Sequence, residues 1–454
     1  MQKNHQACNV DQKPVVSTTK PHTFMRSKNI FSPLLMLMAG CFVFFLCGCK
    51  KEQRTKTYTI YTPVYKTRAE VLADVNGNGP TPIQKAGKIY VKDNYIYLNE
   101  IDKGIHVIDN TDPSHPTQVA FLDIPGNQDI AVKGNILYAD MYADLLALDI
   151  SDLSHVTVTD TLHNLFTGRM YVNNTFAASD LVIIDWIAKD TTVVIDPNTP
   201  WTQCVSCPCP NCSLDNLTPG IAFFNASAAS SQGKSNGVAG SMARMVLMGD
   251  HLYALAESHT LGIIDVSDAA KPVIKSTTWA GLDLETIYPF EDKLFLGSSM
   301  GMFIFDLSNP EQPVKQGEFS HGRACDPVVT DGKYAYVTLH AGTYCGGDAN
   351  ELNVVDIKDL MNPSLVKSYA LTKPTGLCKD GDLLFVCDDA SGVRVYDATD
   401  VSNLKQLQHL DSDTPYDIIA GNNHALVVGK DGVYQYDYSD LNNIRQLSFF
   451  SLKN

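Results

Sequence analysis

The chain has 454 residues, 44% of them hydrophobic, and a formal net charge of −15. It is too apolar for a disordered polypeptide and long enough for more than one core. The charge is uneven: residues 1–56 hold nine Lys/Arg against two Asp/Glu, so residues 57–454 carry −22. So acidic a body excludes nucleic acid as a partner, because that affinity rests on neutralising phosphates.

The first predicted element is an export signal. Phe31 to Gly48 is an apolar run, preceded by Arg26 and Lys28 and ending Leu46-Cys47-Gly48-Cys49. These are the n-region and h-region of a secretory signal. Their end is similar to a bacterial lipobox, in which the last cysteine is acylated and becomes the mature N-terminus. Met38-Ala-Gly-Cys41 is a rival site, but it leaves Phe-Val-Phe-Phe-Leu on the mature side. Cys49 is followed at once by Lys50, Lys51 and Glu52, so Cys49 is the expected lipidation site. An uncleaved anchor is the competing reading, since 18 apolar residues just span a bilayer. The chain therefore divides into 1–24, an extension ahead of a start at Met25, 25–48, the signal peptide, and 49–84, a lipid-anchored tether with an N-terminal strand. Basic residues from Lys50 to Lys56 would favour anionic head groups weakly. The expected address is the cell envelope, as an outer-membrane lipoprotein on its periplasmic or surface face.

From Lys85 onward one phrase returns, a run of β-formers closed by aspartate. It ends at Asp109, Asp149, Asp185, Asp265, Asp306, Asp356, Asp397 and Asp437, at spacings of 40, 36, 80, 41, 50, 41 and 40. A period of about 40 residues is the length of a four-stranded propeller blade. Within each unit, turn pairs such as Asp93-Asn94, Gly134-Asn135, Asn173-Asn174, Gly249-Asp250, Asp331-Gly332 and Asn422-Asn423 separate two runs. Such pairs supply the positive φ that tight hairpins need. The repeated aspartates read as turn fixers, accepting N–H bonds from residues further on, and not as catalysts. The predicted fold is all-β, a propeller over 85–454 interrupted by an insertion at 197–242. Without the insertion 324 residues remain, which at this period gives eight blades. Seven is the alternative, because the third unit is short and its first strand thin.

The cysteines fall into sets. Cys204, Cys207, Cys209 and Cys212 crowd the insertion as C-x-x-C-x-C-x-x-C. Four thiolates at that spacing suit zinc, whereas export favours disulfides that staple a coreless loop. Cys325 and Cys345 are a disulfide candidate pair within the sixth unit, and Cys378 and Cys387 either pair or pack as buried thiols.

One constellation of polar residues follows from the repeat. The start of the innermost strand is held by Lys88, Asp129, Arg244, Glu285, Gly376 and Asp417, with Asp326 after a loop correction and Arg169 in the short unit. Equivalent positions of inner strands ring a propeller's central channel. The carboxylates offer oxygen ligands to calcium, and His321 and Arg323 lie just upstream of Asp326. Mutual neutralisation of charges lining a wet channel is the plainer reading.

Gly87-Lys-Ile-Tyr, Lys103-Gly-Ile-His-Val-Ile-Asp-Asn, Glu285-Thr-Ile-Tyr-Pro-Phe, Cys325-Asp-Pro-Val-Val and Tyr336-Val-Thr-Leu together resemble the LVIVD-repeat lipoproteins of Gram-negative bacteria. The resemblance covers residues 57–454 and implies a lipid-anchored β-propeller outside the cytoplasm. It carries no catalytic residues with it. No G-x-S-x-G elbow, H-E-x-x-H motif or histidine cluster stands in the sequence. The expected role is a non-catalytic binding or scaffold module with a protein or glycan partner and no resident cofactor. A metal-dependent hydrolase at the channel mouth is the alternative.

Overall fold

The computed structural model describes residues 54–172, 175–178, 180–195, 237–322, 327–341 and 347–452. The chain forms two compact units, Met1–Tyr58 with Thr191–Ser206 and Thr59–Asp190 with Cys207–Asn454. In the first, Thr57 and Thr192 share a hydroxyl hydrogen bond of 3.0 Å. The second is the β-propeller.

Among the described residues there are seven antiparallel blades built on four consecutive strands, at 86–123, 130–162, 245–279, 284–320, 328–370, 377–410 and 417–451, the first extended to six strands by Asn76–Asn78 and Val238–Ala239 at its edges. The count of eight is therefore corrected to seven. In each blade the four strands are consecutive in sequence, and the first strands of successive blades lie against one another. Ring closure needs no shared blade. Ile89, Ile96, Leu98 and Ile108 of the first blade pack with Leu426, Val428 and Val433 of the seventh. Tyr416 of the seventh also donates its hydroxyl to Ala86 O at 2.6 Å.

The turn chemistry follows the predicted signals. Asp93 and Asn422 stand at φ of 53°, and Gly134 and Gly249 at 58° and 59°. Asn173-Asn174 lies outside the described residues. The recurring aspartates do cap their turns: Asp109 Oδ1 accepts the Thr111 N–H at 2.9 Å, Asp265 Oδ1 that of Ser267 at 2.8 Å, and Asp397 Oδ1 that of Thr399 at 3.0 Å. A register shift between third and fourth strands recurs in every blade, for example at Val107/Ile108 and Ile263/Ile264. Such bulges add local twist.

The miscounted unit is the one ending at Asp185. There the chain runs on as a single strand, Leu181–Ile195, paired with Arg54–Thr67 in a two-stranded ribbon. The physical reason is in the two positions that build the turn. In seven copies the third residue after the anchor is Asp or Asn (Asp112, Asp152, Asp268, Asn309, Asp359, Asp400, Asp440), able to fix the next turn. After Asp185 those places hold Ile187 and Ala188, and nothing stops the strand. The ribbon leads into a short helix, Arg68–Ala73, opened by a Thr67/Glu70 capping box and held by an Arg68–Asp144 ion pair.

Candidate functional site

The inner strands surround an axis, and the axis is occupied by the chain itself. Residues 237–243 precede the third blade. Val238 and Ala239 pair antiparallel with Val91 and Tyr90 of the first blade. Gly240 N–H then donates to Ile89 O at 2.7 Å. Ser241 N–H donates to Asp417 Oδ1 of the seventh blade at 2.9 Å, and Ser241 Oγ accepts the Leu377 N–H of the sixth at 3.1 Å. Ala243 O accepts the Ile287 N–H of the fourth blade at 2.9 Å, and Arg244 N–H donates to Asp129 Oδ2 of the second at 2.5 Å. Residues 237–244 thus touch five blades. Ser241, Met242 and Ala243 are buried. The space left beside it is about 20 Å³, enough for roughly one water.

Small residues make this passage fit. A Cβ on Gly240 would fall 2.2 Å from Asp417 Oδ2 and 2.8 Å from Ile89 Cγ1; one on Gly237 would fall 2.5 Å from Val91 O. The predicted insertion, 197–242, therefore ends inside the propeller: its last six residues are part of the axial segment.

The predicted ring is largely brought together around this segment. Lys88 Nζ bonds Asp129 Oδ2 at 2.8 Å, with both side chains nearly buried. Asp129 Oδ1 accepts the Ile130 N–H at 2.8 Å, so both of its oxygens are engaged. Arg244 feels Asp129, Glu285 and Asp140 as attractive charges and Arg169 as a repulsive one. Arg169 enters from the 3₁₀ turn Thr167–Met170 and pairs with Asp140. Gly376 donates its N–H to Tyr416 O at 3.2 Å. Asp326 and Arg323 lie outside the described residues. His321 is placed beside Phe319, its Nδ1 2.6 Å from Gly322 O.

Asp140 was not legible from the repeat, because it sits at the end of a second strand. Its signal was a lone carboxylate in the otherwise apolar run Ile136–Met141, all of it buried. Its Oδ1 accepts N–H groups from Asn127, Gln128 and Asp129 at 2.8–2.9 Å. Burial lowers the Lys88 ammonium and the Arg244 guanidinium from their ordinary values. Burial also raises the Asp417 carboxyl well above the carboxylate range. The described axial side chains thus set Lys88, Arg169 and Arg244 against Asp129, Asp140, Glu285 and Asp417, the last biased by burial towards its protonated form. The carboxylates here serve as acceptors for main-chain N–H groups and as partners for buried cations.

Among the described residues, no three His, Cys, Asp or Glu side chains form a group able to hold a metal ion. Cys49, Cys204, Cys207, Cys209, Cys212, Cys325 and Cys345 lie outside the described residues. Cys378 and Cys387 are free, buried thiols, which corrects the disulfide expected as one option for them. Cys378 is registered opposite Phe385, so Cys387 stands diagonally across, at a separation of about 7–8 Å. That is too far for a disulfide. Cys378 Sγ instead accepts the Ala420 N–H of the next blade at 3.3 Å, and burial pushes its thiol up to about 12.

The LVIVD repeat family model matches residues 84–122, 126–162, 239–278 and 321–371. These are the first, second, third and fifth blades, and the third match begins inside the axial segment. The chain is thus a β-propeller in which four segments match the LVIVD repeat. Among curated proteins none matches. Solved structures with a similar fold include the computationally designed Ika8 protein, at 9% identity and a TM-score of 0.48, covering 83% of this chain and 90% of that one. BamB from Moraxella catarrhalis is similar at 10% identity and 0.45, covering 83% and 99%, and Sqt1 of Saccharomyces cerevisiae at 8% and 0.45, covering 83% and 86%. At these identities the likeness concerns the fold alone.

Proposed function

We propose that the protein is an exported, lipid-anchored β-propeller that acts as a non-catalytic binding or scaffold module in the cell envelope. The observation that carries this reading is the filled axis. A propeller enzyme commonly works where the inner strands open onto the central channel. Here the groups at that place are committed to one another and to the segment 237–244, which favours the faces and rim as the working surface. Leu46-Cys-Gly-Cys49 with Lys50-Lys51 after it supports the anchor, and a body of −22 supports a partner other than nucleic acid. Among the described residues no helix is long and apolar enough to cross a membrane; Phe31 to Gly48 lies outside them.

The anchor is tested by fatty-acid labelling in the native host. Wild type incorporates label and sediments with membranes, whereas Cys49→Ala does neither. Continued labelling of Cys49→Ala moves the site to Cys41 or ends the lipoprotein reading. The module reading is tested by crosslinking the anchored protein in its own envelope and identifying a partner at a defined stoichiometry.

A further inference from the structure

Away from the axis, the seam between the first and seventh blades carries a built groove. It is open, about 390 Å³ in volume, and bounded by Pro80, Thr81 and Pro82 on one side and by Gln118, Phe450 and Ser451 on the other. A single buried carboxylate organises both walls. Glu100 Oε2 accepts the Gln84 N–H at 2.9 Å and Oε1 that of Lys85 at 3.2 Å, fixing the chain that continues from the proline wall. Glu100 Oε2 also meets His106 Nε2 at 2.9 Å, and His106 Nδ1 meets Gln118 Nε2 at 2.6 Å. Glu100 is 2% exposed and His106 0%.

Burial opposes ionisation of Glu100, but hydrogen bonds from His106, the Gln84 N–H and Lys103 outweigh it and bring the carboxyl down to about 2. Ionised, Glu100 only accepts, so His106 Nε2–H donates to it. The other ring nitrogen, Nδ1, holds the Gln118 amide at 2.6 Å. The side chain that lines the groove is thus fixed by its contact with a buried ring. A fixed planar amide is a recognition device, because both of its polar atoms have set directions.

We propose that this groove binds an uncharged carbohydrate. Its named walls hold no formal charge, so an ionic ligand would lose hydration without gaining a partner. Sugar hydroxyls both donate and accept, which matches the Gln118 amide and the Thr81 and Ser451 hydroxyls. The C–H face of a sugar ring matches the rigid apolar surfaces of Pro80, Pro82 and Phe450. The volume lies within the range of small-ligand sites. This deepens the binding-module reading and rests on it.

The test titrates the full-length protein in detergent with maltose, cellobiose and diacetylchitobiose, observed by saturation-transfer NMR and calorimetry. A glucuronic-acid disaccharide and an extended proline-rich peptide serve as comparisons. At least one neutral disaccharide should bind, and Gln118→Leu and Phe450→Ala should each weaken it about tenfold or more while the variants still unfold cooperatively above the titration temperature. His106→Phe, which keeps bulk but removes the relay, should weaken it too. The proposal is overturned if no neutral sugar binds, if binding survives Gln118→Leu, or if only the charged sugar or the peptide binds. A silent groove leaves the envelope crosslinking result as it stands, so the two failures are distinguishable.

Discussion

The main-chain N–H of Ser241 donates to Oδ1 of Asp417 at 2.9 Å, across 176 positions of sequence. The same oxygen accepts the Ile418 N–H at 2.9 Å, while Oδ2 is buried with no hydrogen-bond partner. This contact ties the segment that returns from the insertion to the last blade of the ring. It also accounts for the raised Asp417 carboxyl, since a charge there would face burial with only part of its hydrogen bonding met.

A pH dependence follows. The folded-state value of Asp417 is raised by burial, with Lys88 the attractive and Asp129 the repulsive charge nearby. Stability from a raised carboxyl is full below the ordinary carboxylate value and is lost as pH rises through the folded one. Asp417→Asn, uncharged at every pH, should flatten that decline. The acid limb should persist in the variant, because Glu100 is lowered from 4.5 to about 2 and its contribution is lost as pH falls through that range. Denaturant midpoints measured from acid to mildly alkaline pH check both limbs.

Asp129 holds Lys88 and the Arg244 N–H together. Asp129→Ala should cost about 3–5 kcal/mol in urea unfolding, since it leaves a buried ammonium uncompensated. Adding Lys88→Met should recover part of that loss. Two additive costs would show that the pair is not coupled.

How far the sequence could be read is clear from particular residues. The blades were legible because Asp109 and its counterparts recur at a fixed period and each builds a local turn. The ring was legible for the same reason, because Lys88, Asp129, Arg244, Glu285 and Asp417 hold equivalent strand positions. The axial segment was not, because Gly237 to Ala243 lies outside the period of the strands and its contacts to the blades are non-local. Asp185 misled because its β-run matches the phrase while Ile187 and Ala188 after it do not build the turn.

Calcium should be without effect on the fold. Both oxygens of Asp129 and one of Asp417 are already engaged by protein donors. Melting curves in millimolar calcium and in chelator should superimpose. A calcium-dependent rise that vanishes in Asp326→Ala with Asp417→Ala would restore the ion site.

Replacing residues 204–212 by a short Gly/Ser link should preserve cooperative unfolding, because flexible loop length adds little closure entropy. Deleting 237–243 should not be tolerated, since four blades lose a partner. Calorimetry of both deletions separates the insertion from the segment that ends it.

Hydrogen exchange tests the filled axis most directly. The amides of Gly240, Ser241 and Arg244 are bonded to Ile89, Asp417 and Asp129 in the interior. They should exchange only with global unfolding, at the protection level of core strands such as 251–257. Exchange of these amides within seconds, as for an exposed loop, would mean an open channel and would return the ring of charges to candidacy as the working site.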